Sequence, residues 1–392
     1  MVMNEQVKLK WWKRRWFKIL AVAMTLIIIG GGIFLWKAGS TLNRITSGGL
    51  FKNIASMVPG IGPSLKGEGD GRINVLLLGM RGENVPGGGT LADTIMVVSI
   101  KLNKDQPQDN KVSMISIPRD LYVDNPAWGN KTKINAVYAA GEENGKKQGL
   151  ADMEKVVGNI AGIPIHYGVV INFAGFKQLV NAIGGVDITL AAPFDESMQF
   201  NEPHICDSFF TIPTGKFDTK TKKYFSQDTQ TYKTRIIASY PLCSAPKETL
   251  ECGGEFKLPA GKQTLNGDDA LCYARSRTTS NDFERAKRQQ LVIEAIKAKA
   301  TSVGTLTDFS RINGVINSLG DNVRTDMQLG EMKDFLSLYQ KMPSSTIINK
   351  VIDNSEGGLL YNPAEAKETG YILLPRGDNY NQIHEFFQNI FN

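Results

Sequence analysis

Histidine is scarce in this chain. His166, His204 and His384 are the only three in 392 residues, and none stands beside a recognisable nucleophile. That removes the usual grounds for Ser-His-Asp or Cys-His catalysis, in which an imidazole must reach the attacking group. The sequence also has no GxxxxGK[ST], GxGxxG or HExxH pattern. Nucleotide hydrolysis, dinucleotide binding and zincin chemistry therefore have no support. There are four cysteines and no CxxC pair, which disfavours structural zinc.

Net positive charge is missing from most of the chain. The formal net charge is +6, yet residues 1–18 alone carry six Lys or Arg against one Glu. The remainder is close to neutral, so no nucleic-acid partner is expected.

Directly after the basic segment comes an apolar run. Residues 19–36, ILAVAMTLIIIGGGIFLW, contain no charge and are flanked by Trp11, Trp12, Trp16 and Trp36. The run predicts one transmembrane helix with interfacial tryptophans. Basic residues before it place the N-terminus in the cytoplasm and the body outside the cell membrane. The run is long for a signal peptide and no A-x-A site succeeds it, so an uncleaved anchor is expected. Residues 37–71 are Gly- and Ser-rich and read as a tether, leaving 72–392 as an extracytoplasmic domain.

Ile73–Leu78 (INVLLL) is a continuous apolar run, the mark of a strand buried on both faces. Strands are also expected at Thr94–Ile100 and Val112–Ile117. If the three form a meander, one rim gathers Arg81, Asp93, Arg119 and Asp120, a candidate site at strand ends. Turn capping by Asp93 and a local ion pair between Arg119 and Asp120 fit the same residues. Lys133, Ile134, Asn135 and Tyr138 open a helix, and Asp152–Ala161 reads as a second. Tyr167–Ile171 is a strand. Phe173–Ile183 is a helix with Phe173, Phe176, Leu179, Val180 and Ile183 on its core side, ended by Gly184 and Gly185 in a left-handed cap. The next strand is Val186–Leu190. Helices are expected at Phe309–Leu319, Leu329–Gln340 and Asn381–Phe391, and strands at Ile347–Ile352 and Gly370–Leu374. The alternation makes the fold class α/β.

Residues 191–255 interrupt this rhythm. They are polar, lack long periodic patterns and read as an inserted loop or small subdomain. Outside the membrane a disulfide is permitted, with Cys206 joined to Cys243 or Cys252 as the expected pairing. Cys272 sits in an apolar context and is expected to be buried.

The densest chemistry lies in Cys272–Gln290, CYARSRTTSNDFERAKRQQ, where Arg275, Arg277, Arg285 and Arg288 face only Asp282 and Glu284. Ala270–Ala274 reads as a short strand, which would point Arg275 and Arg277 to one side. Asn281 with Glu284 fits a capping box opening a helix, on which Arg285, Arg288 and Gln289 share a face continued by Val292, Ile293 and Ile296. Guanidiniums at a helix N-terminus favour phosphate. A solvated basic helix start with structural ion pairs is the plainer alternative.

Together INVLLLG, LADTIM, SIPRDLYV, KINAVY, NFAGFKQLVNAIGGVDI, LNGDDALCYARSR and NDFERAKRQQ resemble the LytR-CpsA-Psr family of bacterial cell-wall assembly enzymes, over residues 73 to about 300. The resemblance implies a mixed central sheet with helices on both faces and an apolar tunnel for a lipid tail. It implies transfer of a glycopolymer from a polyprenyl-pyrophosphate carrier to peptidoglycan, forming a phosphodiester. By motif it assigns Arg119, Lys133, Arg275, Arg277, Arg285 and Gln289 to the pyrophosphate, with Arg119, Arg275, Arg277, Asp282 and Arg285 catalytic. Asp93 corresponds to a magnesium ligand, and Arg81 stands where the family commonly has the second carboxylate. A polyprenyl-pyrophosphate hydrolase or a non-enzymatic lipid-binding attenuator are the alternative functions.

Overall fold

The computed structural model describes residues 65–392 except positions 84–88, 104, 197–203, 206–211, 245–251, 253–255, 277–280, 303–308, 341, 343–346 and 364–369. The expected transmembrane run 19–36 lies outside the described residues. No described helix is long and apolar enough to cross a membrane. Leu65, within the expected tether 37–71, is buried, and the Lys66 amide donates to the Tyr167 hydroxyl at 2.7 Å, so this last part of the tether packs on the domain.

The meander is present. Strand β1 (Arg72–Gly82) pairs antiparallel with β2 (Gly89–Lys101), and β2 with β3 (Lys111–Ser116). Strand β4 (Tyr167–Asn172) lies parallel to β1. Beyond it, β5 (Val186–Leu190) pairs antiparallel with β8 (Gly261–Leu265) in a separate two-stranded sheet. Two short strands complete the main sheet: β9 (Val323–Thr325), antiparallel to β4, and β10 (Ile347–Val351), parallel to β3. The resulting six-stranded mixed sheet has the order β9-β4-β1-β2-β3-β10.

Helices cover both faces, which is why INVLLL is apolar on both sides rather than alternating, save for Asn74, whose buried amide donates to the Pro164 carbonyl and accepts from Ser99 Oγ. On one face, α1 (Asn135–Glu142), α2 (Gly149–Ala161) and α8 (Asn381–Asn389) bury Val137, Met153, Ile160 and Phe387 against Leu76, Leu78, Ile95 and Ile115. Full burial of each such side chain contributes roughly 1.5–3 kcal/mol. On the other face lie α3 (Phe173–Ala182), α5 (Asp282–Ser302), α6 (Phe309–Leu319) and α7 (Leu329–Gln340). Between these four helices and the sheet is an apolar cavity of about 510 Å³. After α3 the chain reverses through Gly184 and Gly185, at φ +81° and +87°, in the expected left-handed cap.

Two local expectations are corrected, and a third is given its form. Ala270–Ala274 is not a strand but the body of helix α4 (Gly267–Arg275), whose N-cap Asn266 accepts from the Asp269 amide. The cap residue and two first-turn aspartates decide for helix where a short apolar run is ambiguous. A Cβ at Gly267 would collide with the Lys177 carbonyl, so only glycine lets α4 start against α3. Second, Cys252 bonds Cys272 rather than Cys206, because α4 brings Cys272 within 5.9 Å, Cα to Cα. Cys243 is also disulfide-bonded, while Cys206 lies outside the described residues. Third, the insertion holds a long antiparallel ribbon, β6 (Ile212–Ser226) with β7 (Thr231–Ser244). It buries almost none of its side chains, so no core-facing apolar stripe marks its strands in the sequence. At the root of the insertion Phe194–Asp195 pairs with Lys257–Leu258, and Phe194 meets Tyr273 edge-on at 5.1 Å.

Candidate functional site

The rim predicted from the meander is assembled by a bulge. Gly79 opposes Thr94 and Met80 opposes Ala92, which makes Asp93 an extra residue in β2. Bulges re-aim side chains near strand ends. Here the Asp93 carboxylate accepts from Arg119 Nη1 at 2.7 Å, just past the end of β3.

Arg119 is the hub. Besides Asp93, its Nε lies 3.7 Å from both Asp120 and Asp282. Asp120 also accepts from Lys133 at 2.7 Å, and Asp282 pairs with Arg285 at 3.1 Å. Burial alone would lower the Arg119 pKa. The Asp93 hydrogen bond and the charges of Asp93, Asp282 and Asp120 outweigh it and raise the guanidinium above its ordinary value. The local pair Arg119–Asp120 thus exists, but as one edge of a larger cluster. Helix α5 delivers its members because Asn281 caps it, accepting from the Phe283 and Glu284 amides at 3.0 and 2.9 Å. The capping box is completed on one side only in these contacts, since Glu284 reaches Lys287 at 2.7 Å.

A second group sits on an aromatic ring. The Arg275 guanidinium lies 4.5 Å from the Phe173 ring centroid, and that of Arg81 lies 6.0 Å from the same ring. Phe173 was expected on the core side of its helix. As the first residue of α3, directly after the end of β4, it instead serves as a platform for two arginines, each contact worth about 0.5–2 kcal/mol. Its position at a strand–helix junction was the available signal. Arg277 lies outside the described residues.

Gln289, expected on the pyrophosphate, donates to the Ala274 carbonyl at 3.4 Å. Arg288 donates to the Ser276 carbonyl and stacks 5.5 Å from the Phe194 ring centroid. Both tie the end of α4 to α5 and so fix where Arg275 stands. Gln290, which sequence reasoning passed over, is buried and donates to Ser116 Oγ at 3.0 Å and the Lys350 carbonyl at 2.8 Å. It locks α5 onto β3 and β10.

Chemically, Arg119, Lys133 and Arg285 face three carboxylates and are neutralised locally. Arg81 and Arg275 stand together on the Phe173 ring as a second pair of guanidiniums. Guanidiniums held in fixed positions by carboxylates and by a ring are pre-organised donors for an anion. Helix α5 links the arginine–carboxylate cluster to the cavity: Arg285 stands near its start, and Ile293, Ile296 and Ala300 line the apolar space. Eleven helical residues from Arg285 to Ile296 span about 16 Å. For magnesium, no three His, Cys, Asp or Glu side chains among the described residues converge to hold a metal ion. Asp93 is one hard oxygen donor at the rim, with its side chain 35% exposed. Such a donor fits a cation held mainly by phosphate oxygens of a ligand.

Fold and site define a three-layer α/β protein with an arginine–carboxylate cluster at one end of its sheet and an apolar cavity beneath it. The profile of the LytR_cpsA_psr family matches residues 52–371, and the chain belongs to that family. It is 28% identical over 257 residues to the polyisoprenyl-teichoic acid–peptidoglycan teichoic acid transferase TagU of Enterococcus faecalis, covering 64% of this chain and 61% of that one. To TagV of Bacillus subtilis, a transferase of the same description, it is 25% identical over 319 residues, covering 80% and 63%. The chain thus spans a little over three-fifths of these two relatives. The crystal structure of B. subtilis TagV shares the fold, with a TM-score of 0.50 at 23% identity, covering 81% of this chain and 96% of that one.

Proposed function

We propose that this protein transfers a glycopolymer from a polyprenyl-pyrophosphate carrier to peptidoglycan. The observation that carries the reading is that one helix, α5, brings Arg285 to the arginine cluster near its start and lines the apolar cavity further along. A lipid pyrophosphate needs both: guanidiniums for the phosphates and an apolar space for the chain. The related TagU and TagV transferases support the substrate class.

In the reaction a sugar hydroxyl of peptidoglycan attacks the phosphorus that bears the glycopolymer. A new P–O bond forms to that hydroxyl oxygen, the bridging P–O bond of the pyrophosphate breaks, and polyprenyl phosphate leaves. Charge spreads over the phosphoryl oxygens in the transition state, so fixed guanidiniums matter more than a nucleophilic side chain. Arg119, Arg285 and Arg275 are positioned for this, with Arg277 assigned by motif. Asp282 orients Arg119 and Arg285 or takes the proton of the incoming hydroxyl. Magnesium, when bound, would sit on Asp93 and the substrate phosphates and neutralise charge there.

The apolar run at 19–36, behind its basic segment, supports a single-pass anchor with the catalytic domain outside the cell membrane. The test is transfer of lipid-linked polymer to a peptidoglycan acceptor by a variant carrying Arg275→Ala and Arg277→Ala. Loss of transfer is expected, and full activity would sink the assignment. Release of free polymer phosphate without acceptor, at the rate seen with it, would make the enzyme a hydrolase.

A further inference from the structure

The β6–β7 ribbon of the insertion is unusual in having no core. Two-stranded hairpins are marginal in water unless packed on something. Yet Phe217, Phe225, Tyr232 and Ile236 are 60%, 47%, 77% and 62% exposed. The register shows that the ribbon is nevertheless sorted into two faces. Cross-strand partners share a face, and along a strand the faces alternate. Lys222 pairs with Arg235, Tyr224 with Lys233, and Lys220 with Ala238. One face therefore carries Lys220, Lys222, Lys233 and Arg235 together with Tyr224 and Tyr240, with Asp218 as its one carboxylate. The other carries Phe217, Phe225, Tyr232, Thr234 and Ile236, with Lys223 as a lone cation among them.

The contacts agree with this sorting. Lys220 Nζ lies 5.6 Å from the Tyr240 ring centroid, and the Arg235 guanidinium lies 5.8 Å from that of Tyr224. On the opposite face Phe225 and Tyr232 meet edge-on at 5.3 Å. Among the described residues no ion pair to a carboxylate joins any of the four cations. Of the ribbon's two acidic residues, Asp228 lies in its turn, and Asp218, paired with Tyr240, stands on the cationic face at the edge of the cluster, two positions before Lys220. This is a strip of positive charge on a protein whose body is otherwise balanced.

We propose that this cationic face binds the polymer portion of the substrate: an anionic glycan chain carrying phosphate in each repeat. The assignment rests on the transfer reading and narrows it to polymers of phosphodiester type. Cations two residues apart on a strand stand about 6.8 Å from one another, and across strands about 5 Å. They form a ladder that meets successive charges, whereas a single phosphate would engage one rung. Tyr224 and Tyr240, lying among the cations, offer ring faces to sugars. A membrane surface fits less well, because the aromatic cluster and the four-cation ladder point in opposite directions and cannot both face one plane. The insertion returns to the body beside Arg288 and Tyr273, through Phe194. The root of the insertion thus lies against α4 and α5, the helices that carry Arg275 and Arg285.

The test uses the full chain in detergent micelles. A variant with Lys220→Gln, Lys222→Gln, Lys233→Gln and Arg235→Gln is compared with the unsubstituted protein. Binding is measured to water-soluble poly(glycerol phosphate), to neutral dextran and to phosphatidylglycerol vesicles. Affinity for poly(glycerol phosphate) is expected to fall at least tenfold and to weaken with salt in the unsubstituted protein, with dextran bound by neither. Transfer of a lipid-linked substrate with one repeat unit should be unchanged, while transfer of a long polymer slows. A second variant, Phe225→Ser with Ile236→Ser on the opposite face, should keep its polymer affinity. Unchanged polymer binding in the quadruple variant overturns the proposal. So does loss confined to vesicles, or equal loss in both variants. If the unsubstituted protein transfers neither substrate, the transfer reading fails while the binding result stands by itself.

Discussion

Asp93 and Arg119 meet at 2.7 Å although one lies in β2 and the other just past the end of β3, and they do so because Asp93 is the bulged residue of β2. A regular ladder would have turned residue 93 with the pleat. Arg119 is thereby held between Asp93, Asp120 and Asp282 before any substrate arrives.

Asp93→Asn keeps the shape and removes the charge. Transfer is expected to fall about 100-fold, equivalent to about 2.7 kcal/mol of transition-state stabilisation. Folding stability should change by less than about 1 kcal/mol, because the pair is partly exposed. Steady-state assays beside thermal unfolding separate the two, and a variant that only loses stability would refute the role.

Ile316→Trp fills part of the apolar cavity without touching the arginines. KM for a long polyprenyl substrate should rise about tenfold, or about 1.4 kcal/mol. A short-chain analogue should be unaffected. Equal effects on both substrates would show that the cavity does not hold the lipid.

The Cys252–Cys272 disulfide closes a loop of 20 residues onto α4, three positions before Arg275. Serine at both positions should cost about 3 kcal/mol, lowering Tm by roughly 6–12 °C. Calorimetry without reductant measures it. An unchanged Tm would mean that the bond contributes nothing to the fold.

Gln290→Leu leaves the Lys350 carbonyl and Ser116 hydroxyl without their buried donor. Denaturant unfolding should show a loss of about 1–3 kcal/mol. A neutral result would show that the surrounding packing, not the amide, locks α5 to the sheet.

Burial, and then the charge of Asp326, push the Glu154 carboxyl up to about 7, against the opposing pull of Lys66. The folded chain therefore keeps a proton that the unfolded chain releases in the ordinary glutamate range. This contribution to stability is full below that range and is lost as pH rises through about 7. Glu154→Gln should flatten the decline between pH 5 and 7 and raise Tm at pH 8 by about 2–4 °C. A variant whose profile parallels the unsubstituted protein would disprove the assignment.

Much of this molecule was written in local pattern. Continuous apolar runs named β1 and β4, Gly184 and Gly185 marked the end of α3, and Asn281 marked the start of α5, because each depends on residues within one turn or strand. The arginine-rich stretch and the rim of Asp93, Arg119 and Asp120 were legible for the same reason. Which of these residues touch, sequence could not set. LCYA was apolar enough for strand or helix, and only the cap at Asn266 and the packing of α4 on α3 chose helix, which moved Cys272 to Cys252. Phe173 has the spacing of a core residue, yet the parallel neighbours β1 and β4 end together and bring Arg81 to its ring. Gln290 carries no signal at all until β3 and β10 lie beside it. Periodicity and caps are read from neighbours in the chain, whereas ion pairs, disulfides and ring contacts depend on segments tens to hundreds of residues apart, and those meet only when the sheet has closed.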